Sequence, residues 1–289
     1  MLTRRTLLSA ALAAAVASTT KAAPRGASGL KSVHKFVGGR MGVHILDSQS
    51  GRRIGYDDDA RFAMASTCKV PLAAAILWQV DHGAFPPTHL LPISRDQLLP
   101  NSPVVEQQLA TGHQGMSVRD LCAAAVTYSD NTAANVLFAG MGGPAPLTAF
   151  VRSIGDEVTR FDRNETELNS NAPGDERDTT TPRAMADTML KIFTQDVLSV
   201  ASRALLIDWM TLARNGADRI RAGIPRSWLS ADKPGTGANG AYNDIALVWP
   251  PDRRPILIAA YMSESKRAPK ELSAAHAQIG ALVAAEKWK

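Results

Sequence analysis

Short apolar segments bounded by turn residues predict β-strands at both ends of the chain. They occupy residues 42–47, 52–56, 230–236, 244–249 and 256–262. The first two flank a Ser-Gln-Ser-Gly turn and predict a hairpin, and the last two flank a Pro-Pro-Asp-Arg turn and predict a second hairpin. Apolar residues at helical spacing between 270 and 289 predict a helix that packs on the resulting sheet.

The middle of the chain, from about residue 67 to about residue 209, has a helical pattern. Residues 72–80 are almost wholly apolar, which predicts a buried helix. Further helices are predicted at 118–128, 132–138 and 183–193, and Pro182 suits the first turn of the last one.

Strands at both termini and helices between them predict an α+β fold. We expect residues 24–61 and 211–289 to form one antiparallel sheet with flanking helices, and residues 62–210 to form an inserted all-α domain. A binding or catalytic site is expected in the cleft between the two domains.

The first 23 residues have the composition of an export signal peptide. Paired arginines at positions 4 and 5 precede the apolar run 7–17, which is too short to span a bilayer, and small or polar residues follow from 18 to 23. The arginine pair points to the twin-arginine route, although a general secretory signal can also carry it. The sequence therefore predicts a periplasmic or secreted protein with no membrane anchor after cleavage.

The charge and the histidine spacing exclude several classes of partner. The formal net charge is +5, and removal of residues 1–23 takes away three basic residues and no acid, which leaves 5 − 3 = +2. This mild balance predicts no nucleic-acid partner. The six histidines have no metal-ligand spacing, so a zinc enzyme is disfavoured and no metal is expected. A Gly-x-Gly-x-x-Gly pattern at 235–240 leads into a predicted strand instead of a helix, so no nucleotide cofactor is expected.

Four short motifs follow one another in a fixed order. They are Ser66-Thr67-Cys68-Lys69, Ser129-Asp130-Asn131, Glu165-Thr166-Glu167-Leu168-Asn169 and Lys233-Pro234-Gly235-Thr236-Gly237. Each alone is a weak signal, since Ser-Asp-Asn, for example, commonly caps a helix. Together they supply a serine nucleophile, two lysines, a second hydroxyl, a carboxylate and amide side chains, and this set predicts acyl transfer.

Ser66 is the candidate nucleophile. Lys69 follows three residues later, so the two side chains share one face of a helix. A serine at the helix start has backbone N–H groups beside its oxygen. The alternative is a capping serine followed by a solvated lysine. It is disfavoured because the helix is otherwise apolar, and a buried ammonium is costly without a partner.

The ordered motifs and their flanking residues resemble the class A serine β-lactamases. The similarity runs from about Phe36 to the C-terminus and includes the segments 127–135, 178–182 and 243–246. It implies the sheet-plus-inserted-helices fold of that family, a monomeric enzyme, and hydrolysis of small-molecule β-lactam antibiotics through a serine acyl-enzyme, with resistance as the consequence.

The resemblance implies a catalytic role for four residues, Ser66, Lys69, Ser129 and Glu165. Ser66 would be acylated, with Lys69 or Glu165 as the base for that step. Ser129 would pass a proton to the lactam nitrogen. Glu165 and Asn169 would hold a water, which Glu165 would drive onto the acyl-enzyme.

The resemblance also implies how the substrate is held. The backbone N–H groups of Ser66 and Thr236 would form the oxyanion hole. Asn131 would contact the amide of the substrate side chain, and Lys233 would attract the substrate carboxylate. The expected substrate-binding side chains are Asn131, Asn169, Lys233, Thr236 and Arg219.

Residues 160–178 form a long polar loop, and loops of this length in compact enzymes are usually functional or disordered. By resemblance it is an Ω-shaped loop beneath the site, pinned by an ion pair between Arg163 and Asp178. Glu165 and Asn169 both belong to it.

Three positions depart from the family pattern. Pro234 stands where the family usually has Thr or Ser, so one carboxylate contact is missing, and a proline there fits only an edge strand. Thr236 and Arg219 are expected to compensate for it. Thr166 replaces a common proline, and the resemblance implies a cis peptide bond before it. Asn101 replaces a frequent aromatic residue at the edge of the cleft.

Cys68 and Cys122 leave two possibilities open. Some family members have a disulfide between these helices, and Cys122 matches one of its positions, but Cys68 does not match the other. Two buried free thiols are therefore favoured.

Two other function classes share part of the motif set. One is a penicillin-sensitive D-Ala-D-Ala peptidase or transpeptidase, and the other is a non-catalytic lactam-binding sensor. Both generally lack a water-activating carboxylate such as Glu165 with Asn169, so the hydrolase is favoured. The sequence leaves the range of β-lactam substrates open.

Overall fold

A computed structural model of the protein describes residues 25–288. The export signal predicted at residues 1–23 lies outside these residues. In chain order the strands are β1 (Arg40–Asp47), β2 (Arg53–Tyr56), β3 (Phe62–Ala63), β4 (Leu90–Pro92), β5 (Gly115–Ser117), β6 (Thr179–Thr180), β7 (Leu229–Thr236), β8 (Tyr242–Trp249) and β9 (Ile256–Ser263). The α-helices are α1 (Arg25–Val37), α2 (Lys69–Asp81), α3 (Pro103–Ala110), α4 (Val118–Ala123), α5 (Asn131–Met141), α6 (Pro144–Ser153), α7 (Pro182–Thr194), α8 (Val200–Thr211) and α9 (Pro269–Ala285).

A five-stranded antiparallel sheet joins the two ends of the chain. Its strand order is β2-β1-β9-β8-β7, so both predicted hairpins are confirmed and β1 lies against β9. Strand β7 forms one edge and pairs only with β8 in this sheet. Pro234 therefore lies on an edge strand, as its missing N–H requires.

The two faces of the sheet have separate hydrophobic cores because side chains alternate along each strand. On β9, Ile258 and Ala260 belong to the core beneath α1 and α9, which also contains Ile279. Leu257 and Tyr261 belong to the core shared with the central helices. The α+β fold predicted from the sequence is confirmed. The domain boundaries at 61/62 and 210/211 stay a prediction.

Helix α2 is the buried centre of the helical layer. Its residues from Lys69 to Leu77 are all buried, which confirms the buried helix predicted at 72–80. A 3₁₀ turn, Ala65–Cys68, precedes it and contains Ser66. Pro71 is the third helical residue, where the N–H that proline lacks would have no partner within an α-helix that starts at Lys69.

The predicted helix at 118–128 changes character along its length. It is α-helical only to Ala123 and continues as a π-helical turn, Ala124–Tyr128. Ser129 then adopts a left-handed conformation with φ of 60°, and the carboxylate of Asp130 caps α5 by accepting from the N–H of Ala133. This abrupt bend turns the Ser129 side chain into the cleft.

The helices that pack on the sheet also differ from the sequence prediction. Helix α9 ends at Ala285, because Glu286 has an extended backbone. Helix α1 was not predicted, although Leu30, Val33 and Val37 have helical spacing and are buried beneath the sheet.

Cys68 and Cys122 are free thiols in the same hydrophobic core. Burial raises the pKa of both. The favoured prediction of two unpaired buried cysteines is therefore confirmed.

Among residues 25–288, no single helix has both the length and the apolar character needed to cross a membrane. Helices α5 and α6 meet that criterion only as a pair bent by 74°.

Candidate active site

A cavity of about 310 Å³ lies between β7 and the helical layer. Six of the residues predicted for the site line it: Ser66, Ser129, Asn131, Asn169, Arg219 and Thr236. The other three, Lys69, Glu165 and Lys233, are buried next to the cavity. Lys69 donates to Ser66, Glu165 accepts from Asn169, and Lys233 donates to Ser129. Segments more than 160 residues apart in the chain thus converge on one volume, which also includes Asn101, Asn215 and Pro234.

Ser66 is held at the entrance to α2 with its hydroxyl facing Lys69. The Nζ of Lys69 lies 3.2 Å from the Oγ of Ser66. Ala65, immediately before the serine, has a positive φ of 46°. The chain therefore turns sharply into the 3₁₀ turn that presents Ser66.

Lys69 is fully buried and surrounded by acceptors. Its Nζ donates to Asn131 Oδ1 at 2.7 Å and to the carbonyl oxygen of Ser129 at 2.9 Å. Glu165 Oε1 lies 2.9 Å away, and both side chains of this ion pair are inaccessible to solvent. The contact is not aligned as a hydrogen bond, so Oε1 has a charged neighbour but no aligned donor.

The hydroxyl of Ser129 lies between two lysines. Its Oγ is 3.1 Å from Lys233 Nζ and 3.4 Å from Lys69 Nζ. The amide of Asn101 donates to the Ser129 carbonyl at 2.9 Å and so supports the left-handed bend. Ser129 thus links the two buried ammonium groups.

Glu165 is held from both sides of its backbone by Asn135. The N–H of Glu165 donates to Asn135 Oδ1 at 2.8 Å, and Asn135 Nδ2 donates to the Glu165 carbonyl at 2.7 Å. The expected cis peptide bond between Glu165 and Thr166 is confirmed. Sequence reasoning gave Asn135 no role. Its position four residues after Asn131 on α5 could have indicated this role, because residues one helical turn apart share a face of the helix.

Asn169 lies beside the Glu165 carboxylate. Its Nδ2 donates to Glu165 Oε2 at 2.6 Å. Glu165 Oε1 and Asn169 Oδ1 are both buried, and neither makes a hydrogen bond within residues 25–288. Two such acceptors suit a donor molecule such as water.

The expected ion pair of the 160–178 loop is confirmed. Arg163 Nε lies 2.6 Å from Asp178 Oδ2. Asp178 Oδ1 also accepts from the backbone N–H groups of Asp162 and Arg163 at 2.8 and 3.0 Å. The two ends of the loop that carries Glu165 are therefore held together.

Strand β7 packs directly on the turn that carries Ser66. A Cβ placed on Gly235 would lie 2.8 Å from the Met64 carbonyl oxygen and 3.1 Å from the Thr67 nitrogen, so only glycine fits here without a shift. Asn243 on β8 donates to the carbonyl oxygens of Ala63 and Met64 at 2.9 and 3.1 Å. These contacts bring Thr236 to the cavity opposite Ser66.

Lys233 is buried on β7 and donates to Ser129 Oγ and to the Pro234 carbonyl, each at 3.1 Å. Burial, and then the charge of Lys69, lowers its pKa to about 7. An anion placed beside such a lysine stabilises its charged ammonium form.

Arg219 is only 5% exposed and reaches the end of β7. Its Nη1 donates to the carbonyl oxygens of Gly235 and Asn243 at 2.9 and 2.6 Å, and its Nη2 donates to Thr236 Oγ1 at 2.7 Å. Within residues 25–288 neither Arg219 nor Lys233 forms an ion pair. The β7 side of the cavity thus has two buried cations and a threonine hydroxyl.

Comparison with known proteins places the chain in a family. A sequence model of the Beta-lactamase enzyme family matches residues 27–286. Beta-lactamase L2 of Stenotrophomonas maltophilia is 43% identical over 267 residues, which are 92% of this chain and 87% of the relative. The structure of an ancestral (GNCA) class A β-lactamase superimposes with a TM-score of 0.87 at 49% identity, covering 89% of this chain and 98% of that one. The chain belongs to the class A β-lactamase family.

A second solved member supports the same assignment. The structure of a β-lactamase from Xanthomonas campestris pv. campestris has a TM-score of 0.86 and 42% identity, and the match covers 89% of this chain and 95% of that one. On β7 this family member has Pro234 where Thr or Ser is usual, followed by Gly235 and Thr236. The end of β7 that lines the cavity is therefore one place where the sequence departs from the family pattern.

Proposed function

We propose that the protein hydrolyses β-lactam antibiotics through an acyl-enzyme on Ser66 and thereby confers β-lactam resistance. The observation that carries the proposal is the Glu165–Asn169 pair beside the Ser66–Lys69 pair. A carboxylate and an amide that can hold water next to an activated serine suit a hydrolase, because a covalent lactam adduct must be released by water.

In the proposed acylation step, Ser66 Oγ attacks the lactam carbonyl. Lys69, 3.2 Å away, or Glu165, in contact with Lys69, takes the serine proton. The N–H groups of Ser66 and Thr236 stabilise the oxyanion. Ser129, between Lys69 and Lys233, delivers its hydroxyl proton to the lactam nitrogen as the C–N bond breaks, and the proton taken from Ser66 reaches Ser129 through Lys69 to replace it.

In the proposed deacylation step, a water bound between Glu165 and Asn169 attacks the ester carbonyl. Glu165 takes a proton from this water as it attacks, and Ser66 Oγ leaves and regains its proton. The fixed backbone of Glu165, held by Asn135, keeps the carboxylate aimed at the ester.

In the proposed substrate complex, the carboxylate of the β-lactam lies at the β7 side. Lys233 supplies charge, and Thr236 supplies a hydroxyl that Arg219 orients. Asn131 and Asn169 contact the side-chain amide of the substrate. We further propose that the chain is exported by the signal at residues 1–23 and acts as a monomer.

The test is a set of rates measured on the purified chain from residue 24 onward. We expect turnover of penicillins and cephalosporins with no release of D-alanine from a D-Ala-D-Ala peptide. A carbapenem in the same set would define the substrate range. Ser66→Ala is the matched control and should show no hydrolysis.

Two outcomes would contradict the proposal. Release of D-alanine with a long-lived lactam adduct would favour the penicillin-sensitive peptidase. Reversible or stable lactam binding without turnover of either substrate class would favour the sensor.

A further inference from the structure

Tyr242 lies against Arg219 at the end of the β7–β8 pair. The guanidinium carbon of Arg219 is 3.7 Å from the centroid of the Tyr242 ring. Tyr242 is paired in register with Thr236, so both side chains project from the same face of the sheet. Arg219 spans this cross-strand pair, because it stacks on the tyrosine and donates to the threonine hydroxyl.

The stacking stabilises a buried charge that lacks a carboxylate partner. All hydrogen bonds of Arg219 in the described chain go to neutral acceptors. Two buried acids lie nearby, Asp232 and Asp244, but neither is within ion-pair distance of Arg219, and Asp232 pairs with Arg221 instead. Burial raises the pKa of both carboxyl groups. A cation over an aromatic face is attracted by the ring, most strongly where water is excluded.

A directed chain of hydrogen bonds holds the tyrosine. Ser273 Oγ lies 2.6 Å from Asp218 Oδ2 and 2.7 Å from the Tyr242 hydroxyl. The serine has one proton, which goes to the carboxylate, so the tyrosine hydroxyl must donate to the serine. These two hydrogen bonds fix the position of the ring against the Arg219 guanidinium.

The orientation of the Thr236 hydroxyl follows from the same contacts. Its oxygen accepts from Arg219 Nη2 at 2.7 Å, and arginine can only donate. The threonine proton is therefore free to point into the cavity, where Thr236 is exposed. A hydroxyl fixed as a donor suits a carboxylate.

We propose that Tyr242 is a positioning residue for recognition of the substrate carboxylate. Its ring holds the Arg219 guanidinium in the plane that makes Thr236 a donor. Ser273 and Asp218 hold the ring in turn. This inference rests on the proposed function, since it assumes an anionic β-lactam in the cavity.

The test compares a β-lactam that has a free carboxylate with its methyl ester. Tyr242→Leu should lower kcat/KM for the acid about five- to thirtyfold, mainly through KM, the loss expected when a desolvated cation–π contact is removed. The ester should change less than about twofold. Tyr242→Phe keeps the ring and should lose no more than about threefold for the acid. The ratio of acid to ester within one variant is independent of the fraction of folded enzyme.

A double-mutant cycle adds a second criterion. In an Arg219→Ala background, Tyr242→Leu should have almost no further effect on the acid. Equal losses for acid and ester, or additive losses in the cycle, would overturn the positioning role.

Failure of the proposed function would be seen separately, as absent hydrolysis by the unaltered protein. Binding of the same acid and ester to Ser66→Ala, measured by calorimetry with and without Tyr242→Leu, would then decide the inference. A weaker affinity for the acid alone supports it, and unchanged affinities overturn it.

Discussion

Lys69 and Lys233 are buried lysines of the same cavity, yet only Lys69 has a carboxylate beside it. On the Ser66 side, Lys69 and Glu165 form an ion pair at 2.9 Å with neither side chain accessible. On the β7 side, Lys233 and Arg219 are buried without an ion pair in the described chain. Of the hydroxyl groups in residues 25–288, only that of Ser129 lies within hydrogen-bond distance of both lysines.

The difference separates two tasks. A neutralised pair can move a proton between its members without building up charge, which suits acid–base chemistry. Cations without a counter-ion gain an electrostatic partner only when an anion enters, which suits substrate recognition. The predictions below remove one side at a time, from the largest expected effect to the smallest.

Removing the nucleophile should abolish the chemistry and leave recognition intact. Ser66→Ala should lower kcat by about 10⁴-fold or more, while intact β-lactam still binds through the β7 side. Mass spectrometry with a penicillin should show an adduct on the unaltered protein and none on the variant. An adduct that persists in the variant would place the nucleophile elsewhere.

Removing the Glu165 carboxylate should slow deacylation more than acylation. Glu165→Ala should lower kcat by about 10²- to 10⁴-fold, the usual contribution of a general base, and a stable acyl-enzyme should accumulate as a mass shift. Glu165→Gln, which keeps the volume of the side chain, is the control for the loss of packing. Unchanged turnover in both variants would rule out the role of Glu165.

Weakening the β7 side should reduce recognition and leave the acyl-enzyme chemistry in place. A charge-assisted hydrogen bond contributes about 1.5–3 kcal/mol, so Arg219→Ala and Thr236→Ala should each lower kcat/KM about ten- to a hundredfold. The double variant should lose less than the sum, because the two residues serve one carboxylate. Unchanged kcat/KM in both single variants, for penicillins and cephalosporins alike, would leave Lys233 as the sole carboxylate partner.

The pH dependence should report Lys233. Its pKa is lowered to about 7, mainly by burial, so the ammonium loses its proton as the pH rises through that value. We expect kcat/KM to fall by up to about tenfold per pH unit above about pH 7. The fall in kcat should begin at higher pH, because the bound carboxylate favours the protonated lysine. Lys233→Arg, which stays charged, should lose this alkaline limb, and a limb that remains would belong to another group.

The smallest effect is expected from restoring the family hydroxyl. Pro234→Thr should raise kcat/KM by a few fold through one added hydrogen bond. In that background the loss caused by Thr236→Ala should shrink. A loss that stays the same would show that the two hydroxyls do not serve the same carboxylate.

The sequence predicts this site well where its signals are local. Ser66 and Lys69 are three residues apart, and turn residues mark both hairpins, so the helix start and the sheet follow from short segments. The edge position of Pro234 follows from its missing N–H. The π-helical turn and the left-handed backbone that form the Ser129 bend have no residue signature in Ala124–Tyr128.

Contacts that depend on distant segments could not be predicted in the same way. Lys69 and Glu165 are 96 positions apart, and only the packing of the loop on α2 and α5 sets their 2.9 Å separation. Tyr242 was missed because it lies before the strand predicted at 244–249, whereas β8 begins at Tyr242 itself. The register that sets it opposite Thr236 depends on the turn between β7 and β8.

The buried unpaired thiols provide a way to measure local unfolding around the active site. Cys68 is in the same 3₁₀ turn as Ser66, and its sulfur is inaccessible in the folded state. A thiol reagent can therefore reach Cys68 only when the turn and α2 separate from the sheet, so its rate of labelling measures how often that happens. A slowly released lactam that is bonded to Ser66 and contacts β7 should slow the labelling of Cys68. The ratio of the labelling rates with and without the lactam would then measure how strongly the bound lactam suppresses this local opening.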